Sequence, residues 1–256
     1  MNIVTILILS VVEGLTEFLP ISSTGHLILT AKLMGLEQNS FLKSFEVIIQ
    51  SGAILAVVIL YFRYIIRNSA VIGKLLVAFV PSGIIGLIFY KVIRAVFFGN
   101  DALVLWSLGI GGLIMIVYEK LFKPNNKTIE NLNYRKVFII GLFQVLSMIP
   151  GVSRSAATIL GGLSVGLSRQ DAVKFSFLLA IPTMAAASAL DISASAWQLN
   201  SAQQVQIVIG FIGSLITAVM AVKIFIKYIK SNSFVVLGLY RLILAMLLYA
   251  VLYRLK

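Results

Sequence analysis

The chain contains no cysteine. Disulfides are therefore excluded, and so are metal sites held by thiolates. Charge is scarce too. Only 12% of the 256 residues are Asp, Glu, Lys or Arg, where a soluble domain carries about a quarter. Acids are the scarcest of these, 9 against 21 basic residues. There is one histidine, His26. The first residues have neither the basic n-region nor the small-residue cleavage site of a removable signal peptide, so none is expected.

What is present is mostly apolar, at 60% hydrophobic residues. That composition predicts an all-α integral membrane protein. The net charge of +12 invites a nucleic-acid reading. The basic residues, however, sit mainly in short stretches between apolar runs, where they set topology, and no nucleic-acid partner is expected. Full spans are predicted at 45–62, 75–93, 102–118, 174–190, 205–222 and 234–253. The positive-inside rule places the basic stretches 63–74 and 119–136 in the cytoplasm and the uncharged-to-acidic stretch 191–204 outside. Arg254 and Lys256 then fall outside, against the rule.

Two apolar regions do not read as full spans. Residues 1–19 and 27–36 flank a polar break, Pro20-Ile21-Ser22-Ser23-Thr24-Gly25. The second arm is too short to cross a bilayer, which takes about 20 residues. A re-entrant hairpin accounts for both arms; an ordinary span over 2–19 followed by a loop is the alternative. Residues 137–166 repeat the arrangement around Pro150-Gly151-Val152-Ser153-Arg154-Ser155. Pro20 and Pro150 are 130 positions apart, as are Phe45 and Phe175. Each half, about 1–122 and about 135–256, is then one broken hairpin plus three spans, together forming a single transmembrane domain. Three crossings per half is odd, so the second half must be inserted upside down. Such repeats place a ligand at the interface of their broken helices.

The stretch Glu13 to His26 concentrates the chemistry. Glu13 and Glu17 share one helix face, and adjacent carboxylates repel unless a cation or proton lies between them. A hard cation such as Mg²⁺ or Ca²⁺ suits all-oxygen ligands; helix pairing is the alternative. Ser22, Ser23 and Thr24 suit the cap of a new helix. His26 fits either a general base or a hydrogen-bonded core histidine. In the second half, Ser153 and Ser155 suit a cap, and a helix N-terminus favours anions. Arg154 adds a planar donor for phosphate; the alternative is a structural arginine held by carbonyls or by Glu13 or Glu17. Glu46 and Gln50, one turn apart, either extend the cavity or pair helices.

At these residues the chain resembles the bacterial undecaprenyl-diphosphate phosphatase, or bacitracin-resistance, family. The resemblance is carried by EGLTEFLPISSTGH at 13–26, PGVSRSAAT at 150–158 and FEVIIQSGAILAV at 45–57. It implies six spans plus two re-entrant hairpins in an inverted repeat. It implies hydrolysis of a C55 polyprenyl diphosphate to the monophosphate carrier of cell-wall synthesis. It implies metal and catalytic roles for Glu13 and Glu17. Diphosphate binding or attack falls to Ser22, Ser23, His26, Ser153, Arg154, Ser155 and Thr158; Thr24, Glu46 and Gln50 are further candidate substrate contacts. The expected location is the bacterial inner membrane, with the site open to the outer, periplasmic face. The bilayer is a partner, and a homodimer is left open. A polyprenyl-phosphate transporter or flippase is the rival reading, since inverted repeats are frequent in transporters.

Overall fold

A computed structural model of the chain describes residues 1–37, 39–97, 100–121, 126–194 and 200–253. The described residues form ten α-helices: α1 (Ile3–Thr16), α2 (Ser23–Leu33), α3 (Ser40–Arg67), α4 (Ser69–Phe97), α5 (Asp101–Leu121), α6 (Tyr134–Val145), α7 (Arg154–Ser164), α8 (Arg169–Ala194), α9 (Ser201–Ile229) and α10 (Val235–Tyr253). Six of them, α3, α4, α5, α8, α9 and α10, are long and apolar enough to cross a membrane. The outward faces of these helices carry leucine, isoleucine, valine and phenylalanine, as a lipid-facing surface requires and water would not tolerate. The chain is a multi-pass membrane protein.

The spans run past the predicted apolar windows. The stretch 63–74 is not a loop: α3 continues to Arg67, and α4 starts at Ser69 after the single residue Asn68. Asn68 caps the turn, its side-chain amide donating to the Tyr64 carbonyl. Basic side chains end these helices without interrupting them, because a helix propagates through Arg and Lys readily. Parts of the predicted outer stretch 191–204, and Arg254 and Lys256, lie outside the described residues.

Cross-contacts sort the helix ends into two levels. At one level Lys74 donates to the Ile129 and Glu130 carbonyls, Tyr64 donates to Glu130, and Arg169 pairs with Glu119. This is the basic end. At the other level Lys32 pairs with Asp101, and Gln206 donates to the Met1 carbonyl. The α1/α2 hairpin therefore begins and ends at the second level. The α6/α7 hairpin begins and ends at the basic one, where Lys136 donates to the Val165 carbonyl. The two hairpins enter the protein from opposite ends, as inverted halves must. Packing repeats in the same way: α1 lies on α9 as α6 lies on α4, while α5 pairs with its counterpart α10 and α3 with α8. Gly14 allows the α1–α9 approach, since a Cβ there would strike Thr217 and the Ser214 carbonyl.

Candidate active site

Each hairpin breaks at the same device. Ser22 and Ser153 are the only non-glycine residues described with positive φ, 69° and 75°. Such backbone costs about 1–3 kcal/mol and clusters at functional sites. Both serines offset the strain by capping: Ser22 Oγ accepts from the Gly25 N–H, and Ser153 Oγ from the Ala156 N–H. The true counterpart of Ser22 is thus Ser153, and of Ser23, Arg154. One extra residue, Gly151 at φ 91°, shifts the register after the proline. Counted back from the caps, Gln144 stands where Glu13 stands in the first half. Gln144 is fully buried but neutral, donating to Ser82 Oγ and accepting from Thr183. Among the described residues, the carboxylate at this position is found in the first half only.

The two breaks meet. Ser155 Oγ donates to the Phe18 carbonyl at 2.7 Å. Arg154 crosses to Glu17, with Nη2 3.4 Å from Oε1, and lies over the Phe18 ring at 5.5 Å. Its Nη1 donates to the Ser176 carbonyl at 2.9 Å. Ser23 Oγ donates to the other Glu17 oxygen, Oε2, at 2.6 Å. One carboxylate thus holds a hydroxyl from the first hairpin and a guanidinium from the second. The N-termini of α2 and α7 converge on it, each bringing partial positive charge.

Some polar atoms here have no partner. Both Glu13 oxygens and Arg154 Nε are buried without a hydrogen bond. Glu13 is 1% exposed and lies within electrostatic reach of Glu17, Glu46 and Arg154. A buried carboxylate without a partner is costly, as is an orphaned guanidinium N–H. The orphans are complementary to a cation and an anion together. The donor set around Glu13 and Glu17 is all oxygen, which fits a hard divalent cation. Among the described residues no three His, Asp or Glu side chains are grouped to hold a metal. Two carboxylates would therefore share such an ion with substrate oxygens, in the manner of Mg²⁺ sites.

The other sequence candidates divide. Thr158 Oγ1 donates to the Arg154 carbonyl and meets Ser176 Oγ at 2.7 Å, so it braces α7 against α8. Ser155 ties the hairpins together, as above. Both hydroxyls are buried against protein. Ser153 is half-buried and Thr24 exposed. Glu46 and Gln50 lie half-buried on α3, Glu46 close enough to act on Glu13. His26 does not face Ser23: Nδ1 is 2.7 Å from the Ser22 carbonyl and Nε2 2.7 Å from the Tyr240 hydroxyl.

The sequence motifs do not include Arg241, two turns into α10. It is 0% exposed. It donates to the carbonyls of Pro20, Ser107, Leu108, Gly151 and Val152 at 2.9–3.3 Å. One side chain therefore closes the backbone of both breaks. An arginine inside a membrane span was the available signal. Arg241→Leu leaves those carbonyls unpaired, at about 1–3 kcal/mol each. Loss of the folded protein is expected, and Arg241→Lys, with one mobile ammonium, should melt lower than wild type in detergent. Wild-type melting of the leucine variant would contradict the clamp.

The chain is 47% identical to an undecaprenyl-diphosphatase of Aquifex aeolicus over 241 residues, covering 93% of this chain and 94% of that protein. It is 47% identical to that of Persephonella marina, covering 95% and 96%. It is likewise 47% identical to that of Campylobacter fetus, covering 95% and 96%. The family described as Bacitracin resistance protein BacA matches residues 6–247, and the chain belongs to that family.

Proposed function

We propose that this protein is an undecaprenyl-diphosphatase of the bacterial inner membrane, releasing inorganic phosphate from the C55 diphosphate and regenerating the monophosphate carrier. The observation that carries the reading is the Ser23–Glu17–Arg154 contact across the two hairpins. A transporter has no need of a hydroxyl hydrogen-bonded to a carboxylate beside an orphaned guanidinium donor.

In the proposed reaction the terminal phosphate sits against Arg154 and the N-termini of α2 and α7. Ser23 Oγ attacks phosphorus while its proton passes to Glu17 Oε2. The bond to the bridging oxygen breaks, and the lipid monophosphate leaves. Water then displaces Ser23 from phosphorus. Glu17 returns its proton to Ser23 Oγ, and the water's protons depart on the phosphate. Arg154 and the helix N-termini stabilise charge on the transferring group. A divalent cation held by Glu13 and Glu17 would neutralise diphosphate charge. Its identity, Mg²⁺ or Ca²⁺, is part of the proposal.

Phosphate release from long-chain polyprenyl diphosphate by purified protein, with and without chelator, tests the reading. Release that chelation abolishes is expected. No release under any metal would return the transporter alternative.

The proposed orientation puts the basic end in the cytoplasm and opens the site outward. Its support is the cluster Arg67, Lys74, Lys127, Arg169, Lys227 and Lys230 at one end. In this cysteine-free chain, Asn131→Cys should label from the cytoplasmic face and Ala202→Cys from the outer face. Labelling of position 202 only from the cytoplasm would reverse the orientation.

A further inference from the structure

The chain's single histidine is held on both ring nitrogens. A carbonyl oxygen can only accept, so the hydrogen shared with Ser22 sits on Nδ1 of the neutral ring. Nε2 is then bare, and the Tyr240 hydroxyl 2.7 Å away donates to it. The two rings also stack, with centroids 5.5 Å apart and planes 9° from parallel. The Ser22 carbonyl thus selects the protonated nitrogen, while the hydroxyl and ring face of Tyr240 fix the ring's rotation and the partner of Nε2.

Tyr240 is 214 residues away in sequence, on α10. Its neighbour Arg241 is locked by carbonyls from both hairpin breaks, including Pro20 and Val152. The position of Tyr240 is therefore coupled to the same backbone that holds Ser22. A free neutral histidine side chain prefers its proton on Nε2. The structure imposes the other form, and in a neutral imidazole the partner of one nitrogen decides the state of the other.

We propose that Tyr240 is a positioning residue for His26: through its hydroxyl and stacked ring it reinforces the Nδ1–H tautomer that the Ser22 carbonyl selects and presents Nε2 as the ring's only basic nitrogen. The inference rests on the phosphatase reading and extends it: the reaction above gives His26 no step, and Nε2 is assigned here to proton transfer at that site. There, a phosphate oxygen or water that displaces the tyrosine hydroxyl meets one basic nitrogen at one place. The tautomer itself stands independently of activity.

One histidine makes the test direct. The full chain in lipid nanodiscs, labelled at both imidazole nitrogens, is examined by NMR at a pH where the ring is neutral. The expected spectrum has a protonated Nδ1 and a bare, hydrogen-bonded Nε2. Tyr240→Phe keeps the stacked ring and removes the donor. The Nε2 signal should lose its hydrogen-bond shift and the Nε2–H form should appear. Turnover number should fall about 10–100-fold, the cost known at metal sites for losing a partner that fixes an imidazole's tautomer and orientation, with KM little changed. Tyr249→Phe, on the same helix, should alter neither. A wild-type ring protonated on Nε2, or a spectrum unchanged in Tyr240→Phe, overturns the inference. Wild-type protein with the expected spectrum but no phosphate release would instead sink the phosphatase reading and leave the tautomer in place.

Discussion

Glu17→Gln should lower the turnover number by about 10²–10⁴-fold, the range for removing a positioned general base. Glu17 accepts from Ser23 on one oxygen and meets Arg154 on the other. Glutamine keeps the shape but only one acceptor oxygen, which can face Arg154 while its NH2 donates to Ser23 Oγ, reversing that hydrogen bond. It cannot take the serine proton. It also removes half of the carboxylate pair that a hard cation needs, so raising Mg²⁺ or Ca²⁺ should not restore the rate. The protein should still fold, because Glu13 remains beside Arg154 to balance its charge. Phosphate release and melting in detergent read the two quantities separately. Near-normal, chelator-sensitive turnover in this variant would place both base and metal elsewhere.

Arg154→Lys should cost about 10²–10³-fold in rate, the usual effect of losing one donor aimed at developing charge. The charge is kept, so a purely ionic role would leave the variant active. The guanidinium does more than carry charge. It donates to the Ser176 carbonyl, reaches Glu17, and leaves Nε free for a third partner, all from one plane. A lysine ammonium is a mobile point donor and cannot hold that geometry. The alternative read from sequence, a structural arginine held by carbonyls or by an acid, is half present here, since Ser176 and Glu17 are such partners. The orphaned Nε–H separates a site arginine from a fully satisfied structural one. Retention of most activity in Arg154→Lys, measured with saturating substrate, would reduce it to the structural role.

Much of the architecture was legible because bilayers enforce simple rules. Spans must be apolar and long, and backbone breaks must be buried. The proline-serine breaks at 20–23 and 150–154 therefore stood out, and the structure places both at the meeting of the halves. Helix ends were less legible, since hydropathy fades at Arg63 and Lys74 while the helices continue. The site was partly legible. Glu17, Ser23 and Arg154 come together, as the inverted repeat of broken hairpins predicts. His26 turns away from Ser23 because its ring answers to Ser22 and Tyr240. Tyr240 left no trace in the sequence: a tyrosine within a span looks like any other aromatic. Arg241 did leave one, but a single charge in a 19-residue apolar helix is masked by the hydropathy average. Ser155 and Thr158, phosphate contacts by the family resemblance, bond here to the Phe18 carbonyl and to the Arg154 carbonyl and Ser176 hydroxyl. Hydroxyls near a helix start bond backbone as readily as ligand, and only tertiary contacts separate the two.

If both hairpins build one site, Ser23 attacks the terminal phosphate there and carries it covalently. The most direct measurement is acid-quenched single turnover of polyprenyl diphosphate labelled in that phosphate, in wild type and Ser23→Ala. Label is expected covalently on Ser23 of the wild type, and neither label nor phosphate release in Ser23→Ala. Substantial phosphate release by Ser23→Ala, with no protein-bound label in either form, would contradict it.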